Sequence, residues 1–122
     1  MTYHLELGRK AEQFAKTYLL AKFPECKILQ ENFRCRQGEI DLIFEENVKP
    51  GRFELVFVEV RARRLGGVQT GIESVGYGKR LRLTRAARFY LHRHYRGSAG
   101  SMRFDVLDWD GFGFQHFKNI RI

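Results

Sequence analysis

Two acidic stretches constrain this chain more than any other feature. Gly38-Glu39-Ile40-Asp41-Leu42-Ile43 and Phe57-Val58-Glu59-Val60-Arg61 both read as β-strands, and both carry acid where a buried strand should carry hydrocarbon. Ionised carboxylates beside Ile, Leu and Val are costly to desolvate unless something pairs with them. Their convergence in a chain of net charge +8 points to a divalent-cation site.

The sequence also frames the geometry. Asn47 to Arg52, with Pro50-Gly51 inside it, is a turn signal, so the two strands are expected to form an antiparallel hairpin. Side chains alternate faces with period two. If residue 41 lies opposite 59, then Glu39, Asp41, Glu59 and Arg61 share one face. A slip of one residue would send Asp41 and Glu59 to opposite faces. The cost of burying unpaired acid favours the first register.

At 122 residues the chain is expected to be a single domain with one core (1–122). With 43% hydrophobic and 14% aromatic residues, its composition is that of a folded protein. No apolar run approaches the roughly twenty residues that span a bilayer. The amino-terminal segment is charged and amphipathic, unlike a signal peptide, so a cytoplasmic location is expected. Cys26 and Cys35 lack metal-ligand or redox spacing and read as reduced thiols.

Leu5 to Phe23 reads as an amphipathic helix, with Leu7, Ala11, Phe14, Ala15 and Tyr18 on one face and Pro24 ending it. Lys27 to Arg34 is a first strand, followed by the acidic hairpin. Ala62 to Tyr77 is glycine-rich and reads as a loop, with Gly66 to Gly78 a flap that could close over nucleic acid. Gly78 to Tyr95 is a second helix. Arg103 to Trp109 and Gly113 to Lys118 are further strands around an Asp110-Gly111 turn. The order α-β-β-β-α-β-β predicts an α/β domain, a mixed sheet flanked by helices.

Charge is concentrated. Residues 61–96 contain ten Lys or Arg and one acid, Glu73, whereas the rest of the chain carries a net of −1. In the second helix Leu83, Ala86, Ala87 and Tyr90 form an apolar stripe. Arg82, Arg85, Arg88, Arg93 and Arg96 lie on the other side, with Phe89 among them. Arginines with no interleaved acid make an electrostatic footprint for a polyanion, and Arg63 and Arg64 precede them in the same basic third. A solvated face or a dock for an acidic protein is the alternative. Lys79 stands apart, at the edge of the apolar stripe, where its side chain could turn toward the sheet.

Carboxylate oxygens suit Mg²⁺ or Mn²⁺. Beside a cationic helix, such a metal site fits phosphodiester hydrolysis. A salt bridge from Asp41 or Glu59 to Arg61 or Arg63 is the structural alternative. Asp105, Asp108 and Asp110 fall at a strand end and turn, where structural use is expected.

Gly8-x-x-Ala11-Glu12, Gly38-Glu39-Ile40-Asp41-Leu42-Ile43, Val58-Glu59-Val60-Arg61 and Arg103-Phe104-Asp105-Val106 together resemble the YraN-like family of uncharacterised bacterial proteins. That family is similar to the restriction-endonuclease-like, or PD-(D/E)XK, nucleases and to archaeal Holliday-junction resolvases. The resemblance covers nearly the whole chain. It implies a restriction-endonuclease-like core and a Mg²⁺- or Mn²⁺-dependent DNA endonuclease, with branched or junction DNA among the candidate substrates. It also implies that Asp41, Glu59 and the Val60 carbonyl hold the metal, with Glu12 reaching in from the first helix and Glu39 assisting. The position two after Glu59 is a lysine in that pattern and Arg61 here. Arginine stabilises phosphate charge but is no general base. Lys79 is therefore the candidate substitute. A junction-cutting enzyme would act as a homodimer. The competing expectation is a non-catalytic nucleic-acid-binding module that retains the fold.

Overall fold

The structure, a computed structural model, describes residues 2–62 and 76–120, the first seven of these by backbone alone. Helix α1 spans Thr2–Lys22. Strands β1 (Lys27–Cys35), β2 (Gly38–Lys49) and β3 (Arg52–Ala62) follow, then helix α2 (Tyr77–Arg93) and strands β4 (Ser101–Trp109) and β5 (Phe114–Phe117). The expected order of elements is therefore the observed one. The strands form one mixed sheet in the order β1-β2-β3-β4-β5. All neighbours are antiparallel except β3 and β4, which run parallel because the chain returns through α2 between them.

Alternation along the strands builds two cores. Leu55 and Phe57 face α2 and pack with Leu83, Ala86, Ala87 and Tyr90, the stripe expected of the second helix. Leu42, Phe44, Val56, Val58 and Leu107 face the other way, onto Ala15 and Leu19 of α1. A sheet covered on both faces explains why β3 reads as a nearly unbroken apolar run. Two details differ from expectation in α1. Leu19 lies in the core, whereas Phe14 rests half-exposed at its edge against Trp109.

The hairpin register is the one that puts position 41 opposite 59, since Phe44 pairs with Val56, Ile43 with Phe57 and Leu42 with Val58. The turn is tighter than the sequence suggests: β2 runs to Lys49 and β3 starts at Arg52, leaving only Pro50-Gly51 between them. Gly51 takes a φ of 75°, a conformation that glycine adopts without strain.

Alternation fails in the acidic stretch of β2. Ile40 pairs with Phe33, which meets Tyr90 on the α2 side, whereas Leu42 pairs with Val58 on the α1 side. Residues two apart should share a face, so the strand twists between them, at Asp41. Across the ladder from it stands Asn32, with a φ of 50°, a left-handed conformation that Asn tolerates better than most residues. The distortion falls on the residue that carries the acid.

Candidate functional site

Beyond Leu42 and Val58 the β2–β3 ladder stops, while β3 continues alongside β4 to Ala62. Asp41 fills the gap: the Val60 N–H donates to its Oδ2 at 2.7 Å. In an extended strand a residue's N–H and C=O point to the same flank, so the Val60 carbonyl also faces the Asp41 side.

The twist at Asp41 changes the expected sharing of faces. Glu59 and Arg61 stay on the α2 side of β3. Asp41 instead lines a cleft on the α1 side with Arg9, Glu12, Gln13, Glu31 and Asn32. Glu59 lines a second cleft, of about 420 Å³, with Arg34, Glu39, Lys79 and Arg82. The two carboxylates still act on one another. Burial, then the charge of Glu59, pushes the Asp41 carboxyl up to about 7, against the Val60 hydrogen bond, which works to lower it. Glu12 is also raised, by burial first and then by the charges of Glu39 and Glu59. Two strands and a helix thus bring Glu12, Glu39, Asp41 and Glu59 into one anionic neighbourhood.

Lys79 reaches this neighbourhood. In the first turn of α2, its Nζ lies 2.5 Å from Glu59 Oε1, while Arg61 Nη1 stands 3.7 Å from the same oxygen. Lysine contacts Glu59 more closely than the arginine two positions along the strand. Glu39 is largely exposed and meets Arg34 Nε at 3.4 Å. On α1, Lys16 bonds Glu31 at 3.1 Å. Among the described residues, no three Asp, Glu, His or Cys side chains already converge into a metal cage.

Arg82, Arg85, Arg88 and Arg93 are all exposed on α2, a helix without a single acid, and the Arg93 guanidinium lies over Phe89 at 5.6 Å. Arg96 falls beyond the helix end. Arg63, Arg64 and most of the glycine-rich loop lie outside the described residues. Arg34 was not singled out by the sequence. Its signal was available, since the short turn that pairs Arg34 with Glu39 brings the end of β1 to the acidic strand.

A second polar constellation sits apart from these clefts. Buried Arg103 reaches Glu46 at 2.6 Å, Glu54 at 2.5 Å and Asp105 at 3.0 Å. Asp105 also meets His116 Nε2 at 2.8 Å and accepts the Asn119 N–H at 2.9 Å. Every oxygen of Asp105 is engaged within the protein, which agrees with structural use. Asp110 caps its turn by accepting the N–H groups of Phe112 and Gly113.

The model of the family described as "Uncharacterised protein family UPF0102" matches residues 11–108. A UPF0102 protein of Nitrosococcus oceani is 42% identical over 104 residues, covering 85% of this chain and 78% of the relative. One from Alkalilimnicola ehrlichii is 41% identical over 108 residues, covering 88% and 80%. One from Legionella pneumophila is 38% identical over 106 residues, covering 87% and 84%. The chain belongs to the UPF0102 family, the YraN-like family that its motifs resemble.

Proposed function

We propose that this UPF0102 protein is a metal-dependent DNA endonuclease. The observation that carries the reading is the placement of Asp41 and Glu59. They come from adjacent strands at the point where the ladder opens, close enough that the charge of one raises the pKa of the other. Mutual repulsion between acids is what a bound cation relieves. The donors are all oxygen, the chemistry of Mg²⁺ or Mn²⁺. Asp41, Glu59 and the Val60 carbonyl would hold the ion, with Glu12 facing it from α1. Bound there, it would polarise a phosphodiester and make a water more acidic.

The chain's own residues supply the rest. Arg82, Arg85, Arg88 and Arg93 neutralise the nucleic-acid backbone, and Arg34 and Arg82 extend that field into the cleft beside Glu59. Arg61 stabilises developing phosphate charge but keeps its proton. Among the described residues Lys79 is the cation nearest Glu59, and it can orient an attacking water. Branched or junction DNA is the substrate we favour, which would call for two copies of the chain acting as a homodimer.

Cleavage of branched, flapped and linear DNA with Mg²⁺ or Mn²⁺ tests the proposal. Asp41→Ala and Glu59→Ala should each abolish cleavage while leaving folding and DNA binding intact. Unchanged cleavage in either variant rejects it. Arg61→Lys should raise the rate. The second reading, a non-catalytic nucleic-acid-binding module, is favoured by Arg61 in the lysine position. It requires salt-sensitive binding with no product under any divalent ion.

A further inference from the structure

Glu59 is a buried carboxylate that needs a counter-charge whether or not a metal is present. Among the described residues two cations lie within 4 Å of its Oε1, and they are unequal. The Arg61 guanidinium lies at 3.7 Å, beyond hydrogen-bond reach, whereas the Lys79 ammonium makes contact at 2.5 Å. An ion held by that oxygen would have to share it with the ammonium, and like charges so close repel.

The two partners also differ in freedom. The Glu59 side chain is 9% exposed and fixed in the middle of β3; that of Lys79 is 32% exposed, at the end of a flexible stem. When the pair breaks, the lysine is the partner that moves. The same cleft is lined by the cations Arg34, Lys79 and Arg82 against the acids Glu39 and Glu59, so its balance is positive, and an anion that enters meets Lys79 beside Glu59.

We infer that Lys79 is a built-in counter-ion that competes with a divalent cation for Glu59, and that a nucleic-acid phosphate entering the Arg34–Arg82 cleft draws it away. Resting on the metal-dependent reading above, this makes metal and nucleic acid bind cooperatively. Each tightens the other by the same factor, because the coupling is one free energy. Without nucleic acid the site is held by lysine.

Calorimetric titration of Mn²⁺ into the wild type, Lys79→Met and Lys79→Arg, without and with a phosphorothioate-linked duplex, tests this. Lys79→Met should bind Mn²⁺ about tenfold more tightly than the wild type without DNA, the effect of removing one neighbouring like charge. Lys79→Arg, which keeps the charge, should stay near the wild type. Added duplex should tighten Mn²⁺ binding by the wild type and much less by Lys79→Met. Unfolding midpoints recorded in parallel, with Lys79→Gln as a second neutral variant, ensure that a folded protein is compared. Wild-type binding that Lys79→Met and Lys79→Gln fail to improve overturns the competition alone. No Mn²⁺ binding by any variant, even with duplex, overturns the metal-dependent reading and this inference with it.

Discussion

The Val60 amide donates to the Asp41 carboxylate at 2.7 Å, where the β2–β3 ladder gives out. An acid thereby replaces a backbone carbonyl as the partner of a strand N–H, and it does so beside Glu59. The arrangement ties the acidic site to the opening of the sheet.

A pH dependence follows. Burial and the Glu59 charge raise the Asp41 carboxyl from 3.8 to about 7, so the ionised form is disfavoured in the folded protein. Between those values the folded chain holds a proton that the unfolded chain has released. The contribution of Asp41 to stability is therefore fullest below about pH 4 and is lost as pH rises through 7, by at most about 1.4 kcal/mol per pH unit. Asp41→Asn keeps an acceptor for the Val60 amide and removes the titration. Urea unfolding at pH 5 and pH 8 should show that the variant gains on the wild type at the higher pH. Parallel pH profiles would mean that Asp41 ionises freely in the fold.

Arg103 is expected to be the most costly polar residue to remove. Its guanidinium is the shared partner of Glu46, Glu54 and Asp105, and its own pKa is driven up by those hydrogen bonds despite burial. Arg103→Met should destabilise the fold by about 3–5 kcal/mol, because acids buried for one partner are left without it. Burial acts to raise Asp105, but hydrogen bonds from His116, Arg103 and the Asn119 amide outweigh it and hold the carboxyl below its ordinary 3.8. That stability is present above the ordinary value and lost as pH falls through the depressed one. Asp105→Asn should accordingly reduce stability at pH 7 and lessen its loss on acidification. Denaturant midpoints at pH 7 and pH 3 measure both effects.

How far the sequence led can be judged at these residues. Turn chemistry pointed to the hairpin and the penalty on buried acid favoured the register that is observed, without fixing it, and helical spacing picked out Leu83, Ala86, Ala87 and Tyr90 as the buried stripe of α2. The same spacing left Lys79 at the stripe's edge, from which it reaches Glu59. The twist at Asn32 and Asp41 was not legible, because one left-handed residue leaves no periodic trace and strict alternation was assumed through it. Phe112, at the tip of the last turn, is 79% exposed. The Arg103 network was missed for another reason. Its acids come from β2, β3 and β4, up to 57 residues away, and only the sheet order joins them. The Arg-x-Asp pair in Arg103-Phe104-Asp105-Val106-Leu107 was nevertheless the same break in an apolar strand that had marked β2 and β3.

Gly38 controls how closely the β1–β2 turn approaches α2. A Cβ there would lie 3.1 Å from the Arg82 carbonyl oxygen and 3.3 Å from Arg82 Cβ. The first of these neighbours is backbone, so it cannot swing aside. Gly38→Val should cost about 1–3 kcal/mol and displace the turn that carries Arg34 and Glu39 into the cleft. Thermal unfolding reports the cost. A variant as stable as the wild type would show that the turn lifts from the helix freely.

Arg85 and Arg88 stand clear of the Glu59 cleft, so neutralising them leaves the carboxylates and Lys79 in place. If they touch phosphate, Arg85→Gln/Arg88→Gln should weaken DNA binding alike on every sequence. It should also reduce the slope of log affinity against log salt by about 0.9 for each phosphate that is no longer neutralised. Anisotropy titrations across a salt series give both quantities. The stability change should stay within about 0.5 kcal/mol, as for surface substitutions generally. An unaltered slope would move the nucleic-acid path off the exposed face of α2 and toward the clefts that Arg9, Arg34 and Arg82 line.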